Sequence, residues 1–156
     1  MSDSTYWESI YIVCPAILGV YFTFMYTIPA QIEYYLKKTK YIAIGTVVVA
    51  VVNVVANVIL VPRFGYQAAV YVTVGTYILY FVFHMVIAYF ITSKQLPFNI
   101  KSISLYILCV CMLCVIMQIC ADNWVLRYPI CLVFCLFILI SNWEAIKPYY
   151  ERLKRK

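Results

Sequence analysis

Residues 41–61 read YIAIGTVVVAVVNVVANVILV, an uncharged run with Asn53 and Asn57 four apart near its middle. At about 1.5 Å per helical residue it spans roughly 31 Å, close to the ~30 Å hydrocarbon core of a bilayer. Working outward, the pattern recurs on both sides and predicts spans over 9–32, 41–61, 66–91, 102–120 and 128–145. The fifth has the shortest uncharged core. The apolar runs are continuous and do not alternate with period two, so helices are expected and a β-barrel is not. The expected fold class is all-α: one polytopic membrane helix bundle over 1–156, with about five transmembrane helices.

Composition leads the same way. Of 156 residues, 66% are hydrophobic and 12% charged, and the mean hydropathy is +0.92. A soluble domain carries about 25% charged residues. So few charges cannot cover a water-facing surface, which makes membrane lipid the first expected partner. All formal charges fall at or beyond the span ends, apart from Glu144 at the last edge. Tyr6, Trp7, Tyr34, Tyr35, Trp124, Tyr128, Trp143, Tyr149 and Tyr150 cluster at those edges, where amphipathic rings suit the headgroup layer.

Ten of the twelve basic residues fall on one side of this arrangement. Lys37, Lys38 and Lys40 follow the first span, Lys94 and Lys101 follow the third, and Lys147, Arg152, Lys154, Arg155 and Lys156 form the tail. Only Arg63 and Arg127 lie opposite. The positive-inside rule puts the ten in the cytoplasm, with the amino terminus, which carries Asp3 and Glu8, outside and the carboxyl terminus inside. Topology and anionic lipid account for the net charge of +6, so no nucleic-acid partner is called for. An outside amino terminus with neither basic flank nor cleavable signal is unusual for a first span. It fits the back part of a longer transporter, with Met1 an internal start.

The polar residues within spans are the candidates for function. Thr46, Ala50, Asn53 and Asn57 share one helical face, and so do Ala69, Thr73, Thr76, Tyr80 and His84. Small and polar faces let membrane helices approach and hydrogen-bond across the gap. Such faces line a polar transport path or simply hold two neighbouring helices together. Pro62-Arg63-Phe64-Gly65 is a compact turn signal, so the second and third spans are expected to form a hairpin. Pro15 and Pro29 flank Gly19 in the first span, and a kink is expected near Pro15. Glu33, four residues before Lys37, is expected to form an interfacial ion pair with it, leaving no deep acid.

Other chemistry finds little support. Cys109, Cys111, Cys114, Cys131 and Cys135 lie among aliphatic neighbours and read as small hydrophobes. His84 has no second histidine or acid at ligand spacing in its own helix, so no metal and no cofactor are expected. No nucleophile with a matched base, phosphate loop or carboxylate pair is present, which argues against an enzyme.

One stretch is more specific. Tyr34-Tyr35-Leu36-Lys37-Lys38-Thr39-Lys40 is followed by Asn53 and Asn57, by Leu60-Val61-Pro62-Arg63-Phe64-Gly65, and by Ala68-Ala69. This resembles the carboxyl-terminal half of bacterial oligosaccharide flippases of the Wzx type, in the multidrug/oligosaccharidyl-lipid/polysaccharide exporter superfamily. The motif covers about a quarter of the chain, and the span count extends the likeness to most of one lobe of a twelve-helix transporter. Where those proteins often carry a second glycine before the small pair, this chain has Gln67. The resemblance implies a protein of the bacterial inner membrane that moves an undecaprenyl-diphosphate-linked oligosaccharide outward for O-antigen or capsule synthesis. It also implies an amino-terminal lobe facing this one, and a polysaccharide polymerase and glycosyltransferases as neighbours. Lys37, Lys40, Asn53, Asn57, Pro62, Gly65, Ala68 and Ala69 are the matched motif positions. A drug/cation antiporter half of the same superfamily, or a small scaffold subunit of a polysaccharide-assembly complex, are the alternatives.

The charge pattern has a direct check. Cysteines placed at 38 and in the tail should react with a membrane-impermeant thiol reagent from the same face of the membrane. Labelling from opposite faces contradicts the assigned orientation.

Overall fold

A computed structural model describes residues 10–121, 123–141, 143 and 147. Its elements are α1 (Ile10–Met25), α2 (Thr27–Tyr35), α3 (Lys40–Phe64), α4 (Gln67–Ile91), α5 (Ile100–Ile119) and α6 (Trp124–Ser141). The fold is all-α, as expected. Valine-rich α3 is helical despite the modest helix propensity of β-branched residues. Inside an apolar environment the helix satisfies every backbone group within the segment, and that outweighs propensity.

Among the described residues four stretches are long and apolar enough to cross a membrane: Tyr11–Tyr35, Lys40–Phe64, Gln67–Ile91 and Ile100–Ile119. The apolar part of α6, Val125–Ile138, is shorter. α6 begins four residues before the expected fifth span, and positions 144 and 145 at that span's end lie outside the described residues, as does Ser9 at the start of the first.

The first span is interrupted at Tyr26, between α1 and α2, and not at Pro15. Pro29 has no N–H for the Met25 carbonyl and its ring crowds that oxygen, which places the break. Pro15 lies inside unbroken α1. Tyr11, the residue four before it, gives its carbonyl to the Gln118 amide at 2.9 Å instead, so the bond that Pro15 cannot make is replaced from α5.

Two compact units divide the chain, Met1–Gln118 and Ile119–Lys156. In the first, α4 is the central helix, packed against α1, α2 and α3. It buries Ala68, Val72, Val74, Thr76, Tyr80, Phe81, His84 and Ala88, whereas α3 buries only Gly45 and α5 nothing. In the second unit Arg127 Nη1 reaches the Ala121 carbonyl at 3.4 Å.

The expected hairpin forms: α3 and α4 pack together, joined through Gly65 and Tyr66. Pro62 falls in the last turn of α3, and Gly65 caps it at φ 78°, ψ −176°, a conformation open essentially to glycine alone. At the other end, α2 closes with Lys37 in the left-handed region (φ 56°). The Lys37 N–H bonds to the Tyr34 carbonyl at 3.0 Å and the Lys38 N–H to the Glu33 carbonyl at 2.7 Å, the paired closure of a Schellman motif. α4 ends similarly, with the Lys94 N–H on the Tyr89 carbonyl at 2.9 Å.

Close approach of α3 to α4 depends on Gly45. A Cβ there would stand 2.7 Å from the Phe83 ring and 3.1 Å from that of Tyr80, whereas one on Gly75 would meet nothing within 4 Å. Gly45→Ala is expected to cost about 1–3 kcal/mol as overpacking, and Gly75→Ala to be neutral or stabilising through helix propensity. Unfolding of the two variants in detergent micelles or bilayers checks this; equal tolerance contradicts the packing.

Candidate functional site

The two polar faces meet. On α3, Thr46 gives its hydroxyl proton to the Ile42 carbonyl at 2.8 Å, which leaves its oxygen to accept from the Tyr80 hydroxyl of α4 at 2.7 Å. Two turns further along, Asn53 Nδ2 donates to Thr76 Oγ1 at 3.0 Å. Thr76 itself lies 2.9 Å from the carbonyls of Val72 and Thr73. Thr73 bonds back to the Ala69 carbonyl at 2.8 Å. Asn57 does not reach α4: its amide bonds to the carbonyl and side-chain oxygens of Asn53 at 2.9 and 3.0 Å.

These contacts edge an open-sided recess of about 530 Å³ between α1, α3 and α4, lined in part by Thr23, Thr46, Asn53, Thr73, Thr76 and Tyr80. Its volume falls within the range of small-ligand sites. Tyr26, at the α1–α2 break, also lines it and stacks on Tyr80 with ring centroids 4.4 Å apart.

Just beyond Tyr80 sits the feature that sequence reasoning missed. Glu33 Oε1 and His84 Nδ1 lie 2.6 Å apart, and neither side chain has any exposed surface. The expected Glu33–Lys37 interfacial pair does not form; Lys37 is exposed in its left-handed turn. Instead the carboxylate is fully buried against α4, in the last turn of α2. The reason is the length of the first span: it continues to Tyr35, so α2 carries Pro29, Ala30 and Glu33 on its buried face. An ionised carboxylate taken out of water without a partner is too costly to persist, and His84, the only histidine of the chain, supplies one. Rings of Tyr80, Phe83 and Tyr26 surround the imidazole, with centroids at 4.5, 5.3 and 5.9 Å. Glu33 Oε2 and His84 Nε2 have no hydrogen-bond partner among the described residues.

The motif positions fall into two groups. Pro62, Gly65, Ala68 and Ala69 build the α3–α4 turn and the start of α4. Lys37 and Lys40 flank the other bend, and Lys40 Nζ lies 5.1 Å from the centroid of the Tyr41 ring. Among the described residues no three His, Cys, Asp or Glu side chains converge. The seven cysteines are free thiols, with Cys14 buried and the others partly or fully exposed.

Comparison of the chain with protein-family models, with curated proteins and with solved structures finds no match in any of the three. The flippase resemblance therefore rests on its motif positions alone.

Proposed function

We propose that this chain is a multi-pass membrane protein forming part of a transporter, with α1–α4 as one wall of its substrate path. The polar-lined recess carries this reading: hydroxyl and amide groups of Thr23, Asn53, Thr73 and Thr76 stand at the edge of a cavity inside otherwise apolar helices. Polar groups at such depth are costly and mark substrate or ion pathways. Exposure supports it too, because α3 turns most of its valines outward, as a helix facing lipid or a second lobe would.

The resemblance supplies the substrate class. A lipid-linked oligosaccharide presents sugar hydroxyls and a diphosphate, which hydroxyl, amide and basic side chains can bind. An undecaprenyl chain stays in lipid while its polar head crosses between two rocking lobes. On this reading the protein lies in the bacterial inner membrane, amino terminus outside and carboxyl terminus in the cytoplasm. It serves surface polysaccharide synthesis alongside polymerase and glycosyltransferases.

Complementation tests the proposal. A strain deleted for the gene should lose surface polysaccharide and accumulate its lipid-linked precursor on the inner leaflet, and the intact gene should restore export. Asn53→Leu should reduce export several-fold. It removes a contact between helices worth about 0.6 kcal/mol on average together with a polar group of the recess. Cys111→Ala and Cys131→Ala should behave as wild type. Normal polysaccharide in the deletion strain, combined with lost drug resistance, would assign the antiporter reading instead.

A further inference from the structure

We propose that Glu33 and His84 form a proton-binding site whose occupancy holds α2 against α4 and thereby shapes the adjoining end of the recess. The 2.6 Å separation of Oε1 and Nδ1 requires a proton between them. With that proton alone, the pair is a carboxylate facing an imidazole protonated on Nδ1, and carries net charge −1. One further proton, taken from water, makes it neutral overall. The proton binds at Nε2, giving an imidazolium–carboxylate pair, or at Oε2, giving a carboxylic acid beside a neutral imidazole. Those are the two atoms left without partners among the described residues.

Burial decides between the states. Both side chains have zero exposure, and a net charge in such a place is far more costly than a neutral pair. Among the described residues no other formal charge is seen to contact the pair. The titratable groups facing the site are phenols: Tyr80 on α4, Tyr26 at the α1–α2 break and, near Tyr80, Tyr34 on α2. From α3 the nearby polar group is the Thr46 hydroxyl on Tyr80. Lys37, Lys38 and Lys40 in the following bend are exposed. Releasing the second proton therefore obliges α2 to part from α4 and admit water. The chain has a place to yield, since Pro29 removes a backbone bond at the junction with α1. The motion reaches the recess directly, because Tyr26 and Tyr80 belong both to the cage around His84 and to the cavity lining.

The site does not depend on what the recess carries. A single histidine makes the test clean: the full chain, labelled with 15N-histidine, is placed in lipid nanodiscs and followed from about pH 5 to pH 9, the range in which histidines change charge. The imidazole signals should titrate. Hydrogen exchange over 26–36, corrected for its intrinsic pH dependence, should rise about tenfold per pH unit through that titration, the slope of an opening linked to loss of one proton. Glu33→Gln, which keeps a hydrogen bond to Nδ1 but cannot ionise, should abolish the slope. Imidazole signals that do not change, a flat wild-type slope, or a slope unchanged in Glu33→Gln would each overturn the proposal. The wild-type slope decides alone should the variant not fold. Failed complementation with an intact slope would remove the transport reading and leave this one standing.

Discussion

Glu33 and His84 can be buried only together, and the arrangement of α1, α2 and α4 follows from that. Glu33 is the only acid among the described residues, and α2 turns it inward beside Pro29 and Ala30. An unpaired charge there would cost several kcal/mol, so α2 must lie where His84 can meet it. That fixes the side of α4 covered by the first span. Pro29 removes one backbone bond at the junction of α1 and α2, just before the turn that carries the carboxylate. Lys37 and Lys38 then close the helix through the Glu33 and Tyr34 carbonyls, so the residue carrying the carboxylate also anchors the end of its helix.

From this anchor the interior of the first unit changes character along α4. His84 meets a carboxylate, Tyr80 a hydroxyl, Thr76 an amide, and past Thr73 the contacts become small and apolar at Ala69 and Ala68. His84, Tyr80 and Thr76 of α4 are thus each matched by a side chain from α2 or α3. Individually such contacts between apolar helices are weak. Collectively they specify register, because sliding α3 by one turn would break the Thr46–Tyr80 and Asn53–Thr76 contacts at once. Gly45 adds a steric condition to the polar one, admitting the Phe83 and Tyr80 rings where any side chain would collide.

Much of this was legible from residue spacing. The long uncharged runs announced the helices, the four-and-three steps of Thr46, Asn53, Thr76 and Tyr80 announced the meeting faces, and Pro62 with Gly65 announced the hairpin. What spacing could not show is a contact between residues 51 apart in the chain. Spacing within α4 offers His84 no partner, and a charge at position 33 reads as the end of the first span. A carboxylate one residue past position 32, on a helix that runs on to Tyr35, was the available signal. Pro15 and Pro29 are alike in sequence but not in consequence. The carbonyl freed by Pro15 has Gln118 to receive it, and the interruption falls at Tyr26, just before the other proline.

A double-mutant cycle on the buried pair measures the central claim most directly. Unfolding free energies in bilayers or detergent would be compared for the wild type, Glu33→Leu, His84→Leu and the two combined. Removing either partner from a buried pair costs about 3–5 kcal/mol, because it strands the other, so the combined variant should be no less stable than the worse single one. Costs that simply add, as they do for residues not in contact, would mean that Glu33 and His84 do not meet, and the packing of α2 on α4 would have to be abandoned.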